Sequence, residues 1–434
     1  MVAKASVRFS GDKRIFAILC AGLLLLPVGL TVAPDAEAGG FTCFGRAVTI
    51  LGNGRAQKIN GTPGDDVIYG RGGRDIIKGK GGNDFLCGGG ANDKVVGGPG
   101  EDNLAGDGGA DLLKDGVVTP LGVDNNFASM LGGPGNDTLR GRPETLEGAV
   151  FLDAGGGVNA NLSTGVATGL GIGRDTLIDI DDLEGSNFDD VLVGNDSVSP
   201  LDGLGNFIFG ADGNDQILGL GGDDRMFPGP GNDTTDGGTG LADLVGFGSA
   251  IAPVSASLAS GSATGDGNDT FSNVEAFGDS PLADNLTGND ANNAFFVTLG
   301  NDTVNGAGGT DLVCYCDEQL AVFVNLKSGT ATGQGADALM ALEDAIGSIL
   351  NDTIVGTDGP NFLFGNDGND ELFGEGAEDE LVGGNGIDTA DGGPATDTCE
   401  SENKTSCELE FPPARSMASK VVRAGSLYGV RALR

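Results

Sequence analysis

Histidine and tryptophan are absent from this chain, and positive charge is scarce: 24 lysines and arginines face 63 acidic residues over 434 positions, a net charge of −39. Without histidine there is no Ser-His-Asp triad, no Cys-His dyad and no histidine-ligated zinc. The charge imbalance excludes nucleic acid and anionic membrane as partners, and it opposes compaction unless cations neutralise the carboxylates. Long apolar runs are missing too. The one candidate, residues 15–30, is broken by Pro27 and is short for a membrane span. None of this describes a disordered polyanion, because 39% of the residues are hydrophobic and Ile, Leu and Val recur at regular places. Carboxylate-only catalysis of the glycosidase kind survives these exclusions.

The first 38 residues read as a secretory signal. Lys4, Arg8, Lys13 and Arg14 precede the apolar stretch, and Ala36-Glu37-Ala38 offers a small-x-small cleavage site. The expected mature chain is soluble, exported and extracellular, with no membrane span. Cys20 leaves with the signal, and six cysteines remain: Cys43, Cys87, Cys314, Cys316, Cys399 and Cys407. An even number in an exported chain favours disulfides. Cys399 is expected to pair with Cys407, and Cys43 with Cys87. Cys314 and Cys316 stand so close that they bridge only with strain.

Glycine is the commonest residue, at 81, and its placement is periodic. From Gly61, six nonapeptides run without a gap: GTPGDDVIY, GRGGRDIIK, GKGGNDFLC, GGGANDKVV, GGPGEDNLA and GDGGADLLK. Aspartate holds the sixth position (Asp66, Asp75, Asp84, Asp93, Asp102, Asp111) and an aliphatic residue the eighth (Ile68, Ile77, Leu86, Val95, Leu104, Leu113). An isolated unit at Gly132 places Asp137. A second run holds Asn206, Asp215, Asp224 and Asp233, and a third Asp284, Asn293, Asp302 and Asp311. A fourth holds Asp352, Asn361, Asp370, Asp379, Asp388 and Asp397. Between the runs a longer repeat occurs three times, opening VNANLSTGVATG at Val158, VSASLASGSATG at Val254 and VFVNLKSGTATG at Val322. Its alternation predicts half-buried strands, and these copies read as scaffold adaptors that re-seed each array.

The nonapeptide fits GGxGxDxUx, with U a large aliphatic, and the chain resembles the repeats-in-toxin (haemolysin-type) calcium-binding repeat family. That resemblance implies an all-β fold, a right-handed parallel β-roll or β-solenoid with two units per coil and several bound Ca²⁺ ions. A glycine-rich turn and a hard, oxygen-seeking ion belong together: the turn exposes carbonyls, and the aspartates add charge. The expected metal ligands are Asp66, Asp75, Asp84, Asp93, Asp102, Asp111, Asp137, Asp215, Asp224, Asp233, Asp302, Asp311, Asp352, Asp370, Asp379, Asp388 and Asp397. Asn206, Asn293 and Asn361 offer only an uncharged oxygen, so their positions are expected to be weaker. In the first array, aspartates two units apart share an ion, so Asp84 and Asp93 serve two positions and Asp66 and Asp111 one. Glu101, off that phase, is expected to face solvent.

The expected organisation is a signal peptide (1–38), a lead-in segment (39–60), a first array (61–116) and degenerate repeats with a linker (117–157). Three adaptors follow (158–193, 246–283, 317–351), alternating with a second array (194–245), a third (284–316) and a fourth (352–399). A disulfide loop and basic tail (400–434) close the chain. The function expected is a non-enzymatic, secreted calcium-binding protein with a structural or interaction role. Its expected partners are calcium ions and cell-surface or extracellular polymers. The rival is a solenoid enzyme acting on polysaccharide through a carboxylate pair.

Overall fold

In a strand, side chains alternate between faces, so the middle residue of a three-residue strand points alone to one side. The computed structural model describes residues 41–116, 127–142, 146–198, 203–316, 320–333, 335–401 and 403–407. The last three residues of each unit form such strands, as in Val67–Tyr69, Ile76–Lys78 and Lys94–Val96. Each eighth-position side chain of the first array, from Ile68 to Leu113, is 0% exposed. The described residues contain strands and turns but no helix.

Successive units alternate between two parallel sheets. Ile68 pairs with Leu86 and Leu86 with Leu104 in one sheet, and Ile77 pairs with Val95 and Val95 with Leu113 in the other. Partners are 18 residues apart, so one coil is two nonapeptides and the chain forms a parallel β-roll. The described residues fall into two compact units, one of those up to 201 together with 205–220, the other of 203–204 and those from 221 onward. Each has this same two-sheet construction.

The adaptors are detours from the coil. In the first unit Val158–Asn161 runs antiparallel to Val166–Gly169, which runs antiparallel to Gly173–Ile178. The outer strands of this meander then rejoin the parallel ladder, Thr176 beside Thr138 and Asn159 beside Val191. The second unit repeats the device with Ser255–Ser257, Ser262–Thr264 and Asn268–Ser272, and again with Phe323–Asn325, Thr330–Thr332 and Ala336–Met340. Alternating small apolar residues such as Ala160 and Ala167 fill the inner face of the meander and are fully buried.

The cysteines come together pairwise, with Cα–Cα separations of 5.8 Å for Cys43 and Cys87, 5.8 Å for Cys399 and Cys407, and 5.2 Å for Cys314 and Cys316. All three lie within bridging range. Cys43 and Cys87 sit in an apolar cluster with Phe41, Phe44 and Tyr69, which ties the lead-in segment to the first coils. The segment expected to be a signal and the basic tail lie outside the described residues.

Candidate metal-binding turns

Every sixth-position aspartate of the first array is buried, at 5% exposure or less. What holds it is a second ladder, running beside that of the strands. The amide of Asp66 donates to Asp84 Oδ1 at 2.8 Å, that of Asp75 to Asp93 at 2.6 Å, and that of Asp84 to Asp102 at 3.0 Å. On the same pattern Asp93 donates to Asp111 at 2.6 Å, Asp111 to Asp137 at 2.7 Å, and Asp137 to Asp175 at 2.8 Å. One carboxylate oxygen is thereby committed to the coil before it, and the other oxygen distinguishes two kinds of turn.

In the open kind, the second residue of the unit adopts a left-handed backbone: Arg71 has φ 78°, Lys80 94°, Asp107 60°, Ala307 74° and Asn366 83°. An L residue in that region costs roughly 1–2 kcal/mol, so something must hold it there. In these turns the Oδ2 atoms of Asp84, Asp93, Asp102, Asp111, Asp137, Asp311 and Asp370 are buried without a hydrogen-bond donor. The space around them is tight and rich in oxygen. A Cβ on the opening glycine Gly88 would lie 2.7 Å from Asp93 Oδ2 and 2.8 Å from the Gly106 carbonyl oxygen, which is why glycine opens the unit.

In the closed kind, a Ser, Thr or Asn at the second position turns its amide onto the sixth side chain. Thr62 donates to Asp66 Oδ2 at 2.5 Å, Ser186 to Asp190 at 2.5 Å, Ser280 to Asp284 at 2.7 Å and Ser348 to Asp352 at 2.5 Å. The serine hydroxyls add further bonds to the same carboxylates. Asn289 and Thr357 donate in this way to Asn293 and Asn361, and the amide of Asn195 reaches Asn206 across a longer connection.

Burial dominates the electrostatics of the open turns. Desolvation, partly offset by the amide of the preceding coil, pushes Asp84 up to about 6, Asp93, Asp111, Asp137 and Asp311 to about 7, and Asp102 and Asp370 to about 8. Neighbouring carboxylates add to the rise, as Asp111 and Asp75 do for Asp93. A buried carboxylate oxygen that lacks a donor and faces a carbonyl suits a hard cation that takes six to eight oxygens and stabilises the ionised form that burial disfavours.

The remaining expected ligands fall on the ladder. Asp215 Oδ1 accepts from the Asp190 amide at 2.8 Å, Asp388 from Asp370 at 3.0 Å, and Asp397 from Asp379 at 2.9 Å. Asp224 donates to Asp243 at 2.8 Å, Asp233 to Asp269 at 3.1 Å, and Asp302 to Asp337 at 3.1 Å. The structure adds to these expectations and departs from one of them, the solvent-facing Glu101. The first array's ladder does not end at Asp111, because the isolated unit at Gly132 and the adaptor bring Asp137 and Asp175 onto the same edge. The adaptors are more than scaffold: Asp175, Asp269 and Asp337 occupy the ladder phase, a role signalled only by the aspartate that follows each copy. Asp66 and Asp352 differ from the other aspartates in already having an internal donor for Oδ2. Glu101 is half-buried, and its amide donates to Asn83 Oδ1 at 3.1 Å in an outer ladder of fifth-position residues. Sequence reasoning also missed Glu275 and Glu343, which accept the amides of Asp243 and Asp311 through a longer side chain.

Coils stacked through buried carboxylates, with oxygen-lined glycine turns along their edges, define a metal-binding parallel β-roll. The profile of the RTX calcium-binding nonapeptide repeat family matches residues 51–86, 88–113, 129–143, 202–235, 281–313, 346–381 and 373–403, just under half of the chain. The adaptor meanders fall between these matches. No curated protein matches the chain. The chain carries RTX-type calcium-binding nonapeptide repeats, and such repeats bind multiple Ca²⁺ ions.

Proposed function

We propose that the protein is an exported, non-enzymatic module that folds on binding calcium and then acts as a structural or interaction element outside the cell. In this reading the open-turn aspartates, Asp75, Asp84, Asp93, Asp102, Asp111, Asp137, Asp215, Asp224, Asp233, Asp311, Asp370, Asp379, Asp388 and Asp397, supply the charged ligands. The adaptor aspartates Asp175, Asp269 and Asp337 extend the set, with Asp302 beside them. Asp66 and Asp352 take part weakly. Turn carbonyls complete each shell.

The single observation behind this reading is the row of buried Oδ2 atoms left without a donor at Asp75, Asp84, Asp93, Asp102, Asp111, Asp137, Asp311 and Asp370. Each nonapeptide buries one aliphatic side chain, roughly 1.5–3 kcal/mol, against about 1–2 kcal/mol of backbone entropy for each of its residues. Hydrogen bonds narrow that gap, and the metal closes it, so binding and folding are one event. The carboxylates favour this over a polysaccharide-cleaving enzyme. A glycosidase pair must face an open cleft, whereas the ladder carboxylates are buried between coils.

Far-ultraviolet circular dichroism of the mature chain, in chelator and in millimolar calcium, tests the proposal. Strand signal that appears only with calcium is the expected result, and the same strand spectrum in both conditions would sink it. Recovery of the protein from culture medium with Gly39 at its amino terminus tests the export arm.

A further inference from the structure

One closed turn of the second compact unit carries a carboxylate where the others carry glycine. The unit containing Asp284 opens with Asp279, at the position where Gly288, Gly306, Gly347, Gly365 and Gly374 open theirs. A Cβ at Gly374 would lie only 2.5 Å from Asp379 Oδ2, so a side chain at this position enters the space of the ladder carboxylate. Asp279 is 4% exposed and accepts two hydrogen bonds from Thr298 of the next coil, from its amide at 2.9 Å and its hydroxyl at 2.7 Å.

Thr298 is the second residue of the unit that carries Asp302. In the closed turns that amide serves its own unit's sixth side chain, as Ser280 serves Asp284. Here it is diverted to Asp279. Thr298 is not in the left-handed region either, so this turn belongs to neither kind. Asp302, 1% exposed, is left with Oδ2 buried and without a donor. One oxygen from each of Asp279, Asp284 and Asp302 lies within 4.8 Å of the others. Aspartates crowd the cluster: Asp302 and Asp284 act electrostatically on Asp279, and Asp337 and Asp284 on Asp302.

We propose that Asp279, Asp284 and Asp302 form a cation site of three side-chain carboxylates, unlike the ladder positions, which offer one carboxylate from each of two coils. The proposal rests on the calcium-binding reading of the ladder and adds Asp279 to it. Affinity for hard cations rises with the number of charged oxygens. This site therefore takes calcium more tightly than the ordinary turns, releases it last to a chelator, and takes a trivalent lanthanide more tightly still.

The structure supplies its own reporter. Tyr315, fully buried, donates its hydroxyl to Asp337 Oδ2 at 2.9 Å, and Asp337 Oδ1 accepts the Asp302 amide. Asp302 and Asp279 both act electrostatically on Tyr315. The chain has no tryptophan and three tyrosines, so tyrosine-sensitised terbium emission has few possible sources.

The test is titration of the metal-free mature chain with Tb³⁺, excited through tyrosine. Sensitised emission is expected at the first equivalents, largely lost in Tyr315→Phe and retained in Tyr69→Phe. Asp279→Asn, which keeps the shape, and Asp279→Gly, which restores the repeat's opening residue, are each expected to weaken that first step at least about tenfold. Total calcium stoichiometry should fall by no more than one ion in either variant. Unchanged terbium affinity in folded Asp279→Gly, or unchanged emission in Tyr315→Phe, overturns the site. A wild-type chain that binds neither ion defeats the ladder reading itself, a different outcome from loss of this one step.

Discussion

The amide of Asp93 donates to Asp111 Oδ1 at 2.6 Å, while the Oδ2 atoms of both residues lie buried without a donor. Each carboxylate therefore has one oxygen that sets coil spacing and one that is left for a cation. The two oxygens separate what holds the roll together from what it binds.

Replacing Asp93 by Asn keeps an oxygen for the coil ladder and removes the charge. Calcium affinity at that position is expected to fall at least about tenfold, roughly 1.4 kcal/mol, by titration calorimetry. Asp66→Asn should have a much smaller effect, because Thr62 already satisfies Asp66 Oδ2. Glu101→Gln, in the outer ladder, is the control. Equal losses in all three variants would show that the columns act only through bulk charge.

The acid response follows from the raised carboxylates. An aspartate in the unfolded chain titrates near 3.9, whereas Asp84 is pushed up to about 6, Asp93 and Asp111 to about 7 and Asp102 to about 8 when the coils are formed without metal. Between those values the metal-free roll holds protons that the unfolded chain has lost. Its stability is therefore greatest below about pH 4 and drains away as the pH rises through 6–8. Calcium competes for the same oxygens, so its affinity should climb over that window. Dichroism in chelator at pH 5 and pH 8 checks this, and more strand at pH 8 than at pH 5 would refute it.

The turn closed by Ser348 is expected to be indifferent to metal. Ser348 is fully buried, bonds both oxygens of Asp352 and accepts the Leu350 amide at 3.1 Å. Ser348→Ala should lower thermal stability in saturating calcium by about 1–2 kcal/mol. Calcium stoichiometry should not change, and loss of a bound ion would place the serine turn among the metal positions.

Non-reducing peptide mapping of protein recovered from the medium should join Cys43 to Cys87 and Cys399 to Cys407. The pairs are 44 and 8 residues apart. On the loop-entropy relation, losing the first bridge costs roughly 4 kcal/mol and losing the second roughly 2.5 kcal/mol. Free thiols at all four positions would remove both bridges from the account.

The β-roll was legible in the sequence because its period is local. Nine residues repeat, the eighth is aliphatic and the sixth is acidic, and stacking every second unit follows from a two-sheet coil. The Ser and Thr residues at second positions were equally visible in the sequence. Their meaning was not, because Asp84 and Asp352 look alike until the amide beside each carboxylate is placed. Asp175 escaped for a related reason: 38 residues separate it from Asp137, and only the adaptor hairpin brings them together.

The sequence by itself determined the coil, the buried aliphatic columns and the metal class, since each depends on residue type at a fixed phase. Tertiary structure alone decided which carboxylate oxygens are spoken for. That choice turns on backbone angle and on contacts between coils, such as the Thr298 amide turning to Asp279 rather than Asp302, and no pattern of residue types records where an amide points.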